Sequence, residues 1–244
     1  MDILVVNPNT TAAMTATIRR AAERVAAPGT RIVAVNPAAG PESIEGFYDE
    51  ALAVPGLLAE IARGEAQGMA AHVIACFDDT GLDAARALAR APVIGIGEAA
   101  FHAASLVAGR FAVVTTLARS IPAIEFNLRK YGLASRCARV RAAEVPVLAL
   151  EARQAEACGL IEAQIEAARR DDGAEAIVLG CAGMAELAAE LTTRHGLPVI
   201  DGVTAAVALA EALVRLGLRT SKLGGYAAPL PKRGGAGSGG ERDG

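Results

Sequence analysis

The amino-acid sequence predicts an α/β protein of two similar lobes, each built on a parallel sheet, related by a pseudo-twofold axis with a cleft between them. Short β-branched and aliphatic runs alternate with Ala-rich amphipathic stretches along most of the 244 residues. This alternation is typical of strand–helix units in parallel sheets. The pattern restarts near residue 110, and three landmarks of the first half recur in the second at nearly one offset. An internal repeat of this kind indicates two related lobes.

The first half contains four predicted strand–helix units. Apolar runs predict strands at residues 3–6, 31–35, 71–76 and 92–96. Helical periodicity predicts helices at residues 12–26, 48–67, 81–89 and 98–108, the second of them interrupted near Pro55 and Gly56. Residues 7–11 form a turn rich in helix-capping side chains, and the prolines and glycines of residues 36–46 predict an irregular loop.

The second half repeats this order. Strands are predicted at residues 110–115, 137–142, 176–179 and 198–200, and helices at 120–131, 151–170, 184–195 and 203–216. Residues 5–8 match residues 113–116, Cys76 matches Cys181, and Pro92 matches Pro198, at offsets of 108, 105 and 106 residues. We therefore predict a first lobe of residues 1–97 plus about 204–228 and a second lobe of residues 98–203. Residues 229–244, rich in Gly, Pro and charge, predict a disordered tail.

Composition argues against several classes of protein. The net charge is −3, aromatic residues make up 3% of the chain and Trp is absent, so nucleic-acid binding has neither electrostatic nor stacking support. The sequence has no signal-peptide pattern and no apolar run long enough to span a membrane, which predicts a cytoplasmic protein without a membrane partner. Its four cysteines are then expected to be reduced. They form no CxxC pair and the histidines lack ligand spacing, so no metal site is expected.

Two of the cysteines stand at equivalent points of the repeat. Cys76 and Cys181 each follow an apolar run and precede small or polar residues and an Ala-rich stretch. A thiol between the carboxyl end of a strand and a helix N-terminus is placed where the helix dipole favours a thiolate. The alternative for either residue is an inert cysteine of the core. Cys137 and Cys158 lack this context and are expected to be structural.

A facing pair of thiols suits one kind of reaction. If the two lobes face each other across a cleft, Cys76 and Cys181 lie on opposite sides of one small ligand. One thiolate then removes a proton from one face of a carbon and the opposing thiol returns a proton to the other face, which is a 1,1-proton transfer with inversion. Backbone amides after each cysteine are candidates to stabilise the enolate-like oxygen.

Six segments carry a resemblance to a known family: NPNTT from residue 7, GPESIEG from residue 40, ACFDDTGLDAAR from residue 75, PVIGIGEAAFHAA from residue 92, VVTT from residue 113 and VLGCAGM from residue 178. The chain resembles the aspartate/glutamate/hydantoin racemase superfamily, in its hydantoin racemase branch. The resemblance implies a cofactor-independent racemase, commonly a homo-oligomer, that acts on 5-monosubstituted hydantoins. It implies that Cys76 and Cys181 are the acid/base pair.

The resemblance also implies which residues bind the substrate. Asn9, Thr115 and Thr116 are expected to ring the cleft and bind the hydantoin ring. The carbonyl oxygens of the hydantoin ring are expected to accept hydrogen bonds from the backbone amides of four residues, Phe77, Asp78, Ala182 and Gly183. Ile44 and Phe47 are expected around the 5-substituent. For these loop residues, the alternative is a turn or capping role without ligand contact, and capping is the favoured interpretation of the Asp78 and Asp79 carboxyl groups.

Two other functions stay open at this point. An allantoin racemase of the same superfamily uses the same thiols with a polar 5-ureido group, although Phe47 and Phe77 favour hydrophobic substituents. A non-catalytic two-lobed binding protein would tolerate loss of either thiol. An amino-acid racemase is disfavoured because the sequence offers no clear cationic group to bind an α-carboxylate. A decarboxylase with a single thiol is disfavoured because both thiols are present in this sequence.

Overall fold

Two four-stranded parallel sheets form the frame of the protein in the computed structural model, which describes residues 1–152 and 154–230. The first sheet contains β1 (Asp2–Val6), β2 (Arg31–Val35), β3 (Ala71–Ile74) and β4 (Val93–Gly95). The second contains β5 (Phe111–Thr115), β6 (Cys137–Ala142), β7 (Ala176–Gly180) and β8 (Val199–Asp201). Their orders are β2-β1-β3-β4 and β6-β5-β7-β8, which is the same order in each half. The predicted α/β fold with two similar parallel-sheet lobes is confirmed.

Nine α-helices lie within the described ranges. They are α1 (Ala12–Val25), α2 (Phe47–Ala66), α3 (Leu82–Leu88), α4 (Ile96–Val107), α5 (Ile121–Lys130), α6 (Ala149–Ala152), α7 (Gln154–Asp171), α8 (Ala188–His195) and α9 (Gly202–Arg215). Short 3-10 helices occur at Ala118–Ser120, Ala134–Arg136, Ala182–Leu187 and Gly224–Tyr226. None of the helices in the described part of the chain is long and apolar enough to cross a membrane.

The core follows from the alternation of side chains along each strand. In β1, Ile3 and Val5 belong to one core cluster, while Leu4 and Val6 belong to another on the opposite face. The first of these clusters joins the inner faces of both sheets through α1, α4 and α9. Helices α2 and α3 cover the outer face of the first sheet, and α7 and α8 cover that of the second.

Helices α4 and α9 cross between the two halves. Helix α4 follows β4 of the first sheet in sequence but packs mainly on β7 and β8 of the second. Helix α9 follows β8 of the second sheet but packs mainly on β3 and β4 of the first, and the two helices pack on each other. The predicted boundaries of the lobes stay a prediction, and residues 231–244 of the predicted tail lie outside the described residues.

Two predicted elements differ in the structure. The predicted interruption of the second helix is wrong, because α2 continues through Pro55. Burial of Leu57 and Ile61 offsets the lost backbone hydrogen bond, which costs about 3 kcal/mol in a helix interior. Gly56 allows the loop after β2 to approach closely, since a Cβ there would stand 2.8 Å from the Cβ of Pro37. The helix predicted from residue 184 begins instead as the 3-10 helix Ala182–Leu187, which α8 continues.

Candidate active site

A small cavity lies where the carboxyl ends of strands from both sheets meet. In open parallel sheets, this edge is where ligands bind. Most of the lining residues belong to segments that follow β1, β2, β3, β5, β6 and β7. They are Asn7, Pro8, Asn9, Met14, Ile44, Ala75, Cys76, Phe77, Asp78, Thr116, Ser120, Val147, Gly180, Cys181 and Ala182.

Both repeat-related cysteines line this cavity. Cys76 stands two residues after β3 ends, in the loop that leads to α3, and Cys181 follows β7 directly. The strands β3 and β7 occupy the same position in their sheets. The repeat therefore brings into one cavity two thiols that are 105 residues apart in sequence.

The two sulfurs have matching backbone contacts. The N–H of Asp78 hydrogen-bonds to Cys76 and the N–H of Gly183 hydrogen-bonds to Cys181, in each case from two residues further along. Cys76 has a further contact, because the Thr80 hydroxyl donates to its sulfur at 3.3 Å. These donors stabilise a thiolate more than a thiol.

Desolvation nevertheless favours the thiol form of both cysteines, although each side chain is only partly buried. It raises the pKa of Cys76 well above its usual value and that of Cys181 to about 12. The negative charge of Asp78 raises both pKa values further, while the hydrogen bonds to the sulfurs lower them. The expectation that a helix N-terminus favours the thiolates is therefore wrong. Helix α3 begins only at Leu82, and the segment after Cys181 is a 3-10 helix.

We expect iodoacetamide to alkylate Cys76 and Cys181 slowly at pH 7 in the folded protein. The rate of alkylation should rise about tenfold per pH unit up to pH 9 and beyond, because the thiolate fraction grows in this way below a raised pKa. Peptide mass spectrometry of timed samples measures each cysteine separately. The same chain in urea is the control, since its thiols should react faster at pH 7 and level off near pH 8.5. Equal rates in the folded and unfolded chain would contradict the raised pKa values.

Three of the predicted site residues lie outside the lining of the cavity. Thr115 is buried, and its hydroxyl donates to the carbonyl of Gly180 at 3.1 Å. Gly183 lines a neighbouring depression and faces Cys181 through its N–H. Phe47 is 64% exposed and lines an outer groove. The other eight, including both cysteines, line the cavity.

The outer groove adjoins the cavity at Asp78, which lines both. The α2 residues Phe47 and Glu50 form one side of it, and Phe126 of α5, also 64% exposed, lies on the other. Phe77 does not extend this aromatic surface. Its ring is 3% exposed and packs edge-on against Phe101, with 5.3 Å between ring centroids.

The two adjacent aspartates have different roles. The Asp79 carboxylate accepts hydrogen bonds from the N–H groups of Gly97 at 2.9 Å and Glu98 at 2.8 Å and from the Tyr131 hydroxyl at 2.7 Å. Burial raises the pKa of Asp79 and the three hydrogen bonds lower it, and the net result is a pKa of about 7. Asp79 thus caps the first turn of α4, as predicted. The capping interpretation of Asp78 is wrong, because its carboxyl group makes no hydrogen bond within the described part of the chain; the residue lines the cavity.

A close approach holds the Cys76 loop against α4. A Cβ on Gly97 would stand 2.3 Å from the carbonyl oxygen of Phe77, so only glycine fits at this position. On the other side of the same loop, Asn127 of α5 donates to the backbone carbonyl of Asp78 at 2.8 Å. Elements of both halves therefore fix the loop that carries Cys76.

Sequence and fold both match known proteins. The model of the Asp/Glu/Hydantoin racemase family matches residues 3–210. The chain belongs to this family. A hydantoin racemase of Rhizobium meliloti is 54% identical over 95% of this chain and 96% of its own, and one of Pseudomonas sp. (strain NS671) is 47% identical over 95% and 93%. The solved allantoin racemase from Klebsiella pneumoniae is 52% identical, with a TM-score of 0.93 and 95% of each chain covered.

More distant racemases share the fold alone. The aspartate racemase of Picrophilus torridus is 15% identical with a TM-score of 0.63, covering 91% of this chain and 96% of its own. The prediction that the chain is a racemase of the Asp/Glu/hydantoin family is confirmed by the family match and the relatives.

In this racemase, Asn9 combines a turn role with its place in the cavity. Its side-chain oxygen accepts hydrogen bonds from the N–H of Thr11 at 2.9 Å and from the amide of Asn7 at 2.8 Å. Its amide nitrogen donates to the sulfur of Met14 at 3.2 Å, a weak acceptor. The Asn9 amide N–H groups therefore remain the part of this side chain best suited to a ligand carbonyl.

A contact between loops of the two halves lies beside the cavity. The Glu45 carboxylate, in the loop after β2, accepts a hydrogen bond at 2.9 Å from the N–H of Val147, in the loop after β6. The neighbouring Ile44 and Val147 itself both line the cavity. The contact thus couples the position of these two apolar residues.

Seven lining residues of the racemase cavity were not among the site residues predicted from the sequence. Ala75 and Gly180 carried a usable signal, because they share the 105-residue offset of the cysteines that follow them. Asn7 and Pro8 belong to the same predicted turn as Asn9. Met14, Ser120 and Val147 carried no signal of this kind. No group of three or more His, Cys, Asp or Glu residues within the described ranges is arranged to hold a metal ion.

Proposed function

We propose that this racemase inverts C5 of 5-monosubstituted hydantoins by a cofactor-independent proton transfer between Cys76 and Cys181. The observation that carries the proposal is the presence of both thiols, one from each lobe, in one cavity. The hydantoin racemases that are 47–54% identical over nearly the whole chain support this choice of substrate.

The proposed reaction begins with one cysteine as a thiolate and the other as a thiol. The thiolate removes the proton from C5, the C–H electron pair forms a C4–C5 double bond, and the carbonyl electron pair moves to the oxygen on C4. The opposing thiol then returns its proton to the other face of C5, and the carbonyl forms again. The enzyme ends with the protonation of its two sulfurs exchanged, so the next turnover starts from the opposite cysteine.

Different hydrogen-bond donors are assigned to the two negative charges of this reaction, one on the thiolate and one on the enolate. The N–H groups of Asp78 and Gly183 are placed to stabilise the thiolate form of each sulfur. We assign further groups to binding of the hydantoin ring. They are the N–H groups of Phe77 and Ala182, the side chains of Asn9 and Thr116, and the edge of the cavity near Thr115. Hydrogen bonds that strengthen as the enolate forms lower the barrier rather than only increasing substrate affinity.

The outer groove is our candidate site for the 5-substituent. It meets the cavity at Asp78 and presents Phe47 and Phe126 at its sides, while Ile44 lines the cavity itself. Aromatic side chains there favour a hydrophobic substituent. The predicted homo-oligomer and the predicted cytoplasmic location stay predictions.

A second candidate is racemisation of allantoin, whose 5-ureido group offers several N–H donors. Two observations favour it: the 52% identity to the Klebsiella pneumoniae allantoin racemase, and the Glu50 carboxylate in the outer groove, where one oxygen is buried without a hydrogen-bond partner. The two candidate reactions use the same thiols and the same hydantoin ring, and their substrates differ only in the substituent at C5.

We expect enantiopure benzylhydantoin to lose its optical rotation with the enzyme in deuterated water and to gain one deuterium at C5. Polarimetry or circular dichroism follows the inversion, and mass spectrometry of the product counts deuterium. Methylthioethylhydantoin and allantoin, run in parallel, rank the substituents after subtraction of the uncatalysed rate. Turnover of allantoin at a kcat/KM at least tenfold above that of both hydantoins would favour the second candidate. Binding without inversion or exchange of any of the three would contradict a racemase role for this cavity.

A further inference from the structure

Asp78 is the one ionisable residue besides the two cysteines in the lining of the cavity, and the mechanism above leaves its carboxyl group without a task. It lines the cavity together with both cysteines and makes no hydrogen bond within the described residues. Its backbone is fixed, because the Asp78 carbonyl accepts the 2.8 Å hydrogen bond from Asn127. Its charge acts on both thiols, which places it within electrostatic reach of each sulfur. A half-buried carboxyl group that lines a cavity and has no protein partner is complementary to a ligand.

The groups that face Asp78 favour its uncharged form. Glu50 of α2 and the adjacent Asp79 are both acidic, and Cys76 and Cys181 become anionic when they ionise. The nearby cation of the groove, Lys130, is paired with Asp83 at 2.6 Å. Burial, with Glu50 and Asp79, raises the pKa of Asp78 to about 8. Below that pH, its carboxyl group offers one O–H donor and one C=O acceptor side by side.

Resting on the proposed function, we infer that the uncharged carboxyl group of Asp78 pairs with the N3–H/C4=O edge of the hydantoin ring. Its C=O accepts from N3–H, and its O–H donates to the oxygen on C4. No proton leaves Asp78 during the reaction. As negative charge develops on the C4 oxygen, the O–H donor stabilises it more strongly.

This pairing defines the substrate class through the ring rather than the substituent. A substrate must carry an N–H next to the carbonyl that is adjacent to its acidic C–H, which hydantoins and allantoin share and open-chain amino acids lack. An ionised Asp78 has no donor and repels both the enolate and the thiolates. Activity therefore requires the protonated form of this one carboxyl group.

The test compares the wild type with Asp78→Asn and Asp78→Leu in kcat/KM for benzylhydantoin from pH 6 to pH 9, since kcat/KM reports the ionisations of the free enzyme. In the wild type, we expect kcat/KM to rise as thiolate forms and to level off near pH 8, where Asp78 loses its donor. Asn keeps a donor and an acceptor without ionising, so its profile should keep rising past the pH at which the wild type levels. Asp78→Leu should lose about 100-fold, as expected for loss of one oxyanion donor. The matched control is Asp171→Asn, at the exposed end of α7, which lines neither the cavity nor the outer groove and should stay within about twofold of the wild type at every pH.

A second substrate separates recognition from a general structural effect. 5-Benzyl-3-methylhydantoin lacks the N3–H, and we expect a loss of about 100-fold with the wild type and with Asp78→Asn. With Asp78→Leu, the methyl group should cost little more, because the pairing is already absent. Circular dichroism and thermal unfolding identify a variant that is misfolded rather than mispaired.

Three results would overturn the inference while leaving the proposed function intact: wild-type activity in Asp78→Leu, levelling of Asp78→Asn at the same pH as the wild type, or equal losses on N3-methylation in all variants. Comparing the pH at which kcat/KM levels off in Asp78→Asn and in the wild type is informative. The imide N–H of the substrate also ionises, but that ionisation affects every variant equally. Failure of the wild type itself to exchange the C5 proton would instead overturn the proposed function.

Discussion

Replacing Cys76 by Ser is expected to lower kcat for racemisation of both enantiomers by at least about 10³-fold, and Cys181→Ser is expected to have the same effect. Each variant loses the acid or base on one face of C5, and a serine hydroxyl ionises too weakly to replace it. Since inversion needs a proton removed from one face and returned to the other, one remaining thiol cannot complete it. Polarimetry with each enantiomer measures the loss.

The remaining thiol should still show half of the reaction. In deuterated water, each variant should exchange the C5 proton of one enantiomer without inversion, and the two variants should act on opposite enantiomers. Cys137→Ser and Cys158→Ser are matched controls, because neither residue lines the cavity, and both should keep their activity within about twofold. Wild-type racemisation by either cavity variant would exclude the two-cysteine mechanism.

Replacing Asp79 by Ala is expected to lower the free energy of unfolding by about 3 kcal/mol or more. The change leaves the N–H groups of Gly97 and Glu98 and the Tyr131 hydroxyl without their acceptor, and each buried unsatisfied donor costs about 1–3 kcal/mol. Asp79 also has a φ of 51°, in the left-handed region that Ala adopts reluctantly. For a chain of this size, the loss corresponds to a decrease in Tm of about 6–12 °C, which differential scanning calorimetry measures.

Two variants separate the causes of this loss. Asp79→Asn tolerates the left-handed backbone and keeps one acceptor oxygen, so it should be less destabilising than Asp79→Ala. Asp83→Ala, one turn into the same segment and half-exposed, should change Tm little. If Asp79→Ala and Asp83→Ala shifted Tm equally, the cap of α4 would not be a determinant of stability.

The fold was predictable because its signals are local and repeated. Strand runs such as residues 3–6 and 71–76 are almost entirely apolar, which is typical of strands buried on both faces. Pro55 misled the prediction because its effect on a helix is local, whereas the burial of Leu57 and Ile61 that keeps α2 continuous depends on the sheet beneath. The start of α8 was misplaced for a similar reason, since a 3-10 turn has no distinct sequence pattern.

The candidate site was partly predictable. The repeat placed Cys76 and Cys181 together, but the direction of a side chain cannot be obtained from a turn sequence. Thr115 and Thr116 are adjacent, yet one hydroxyl donates to the Gly180 carbonyl and only the other residue lines the cavity. The expectation of favoured thiolates failed because desolvation depends on how the folded chain surrounds each sulfur, and a helix dipole inferred from sequence contains no desolvation cost.

The exchange of α4 and α9 between the sheets has a consequence for synthesis on the ribosome. All strands of the first sheet are complete once residue 95 has been made, but the helix that covers β3 and β4 begins only at Gly202. A nascent chain that ends before that point exposes Val73 and Ile94 of this face, which are buried in the finished protein. We therefore expect the N-terminal half to keep part of this apolar face uncovered until translation is nearly finished, and the two halves to complete their packing together.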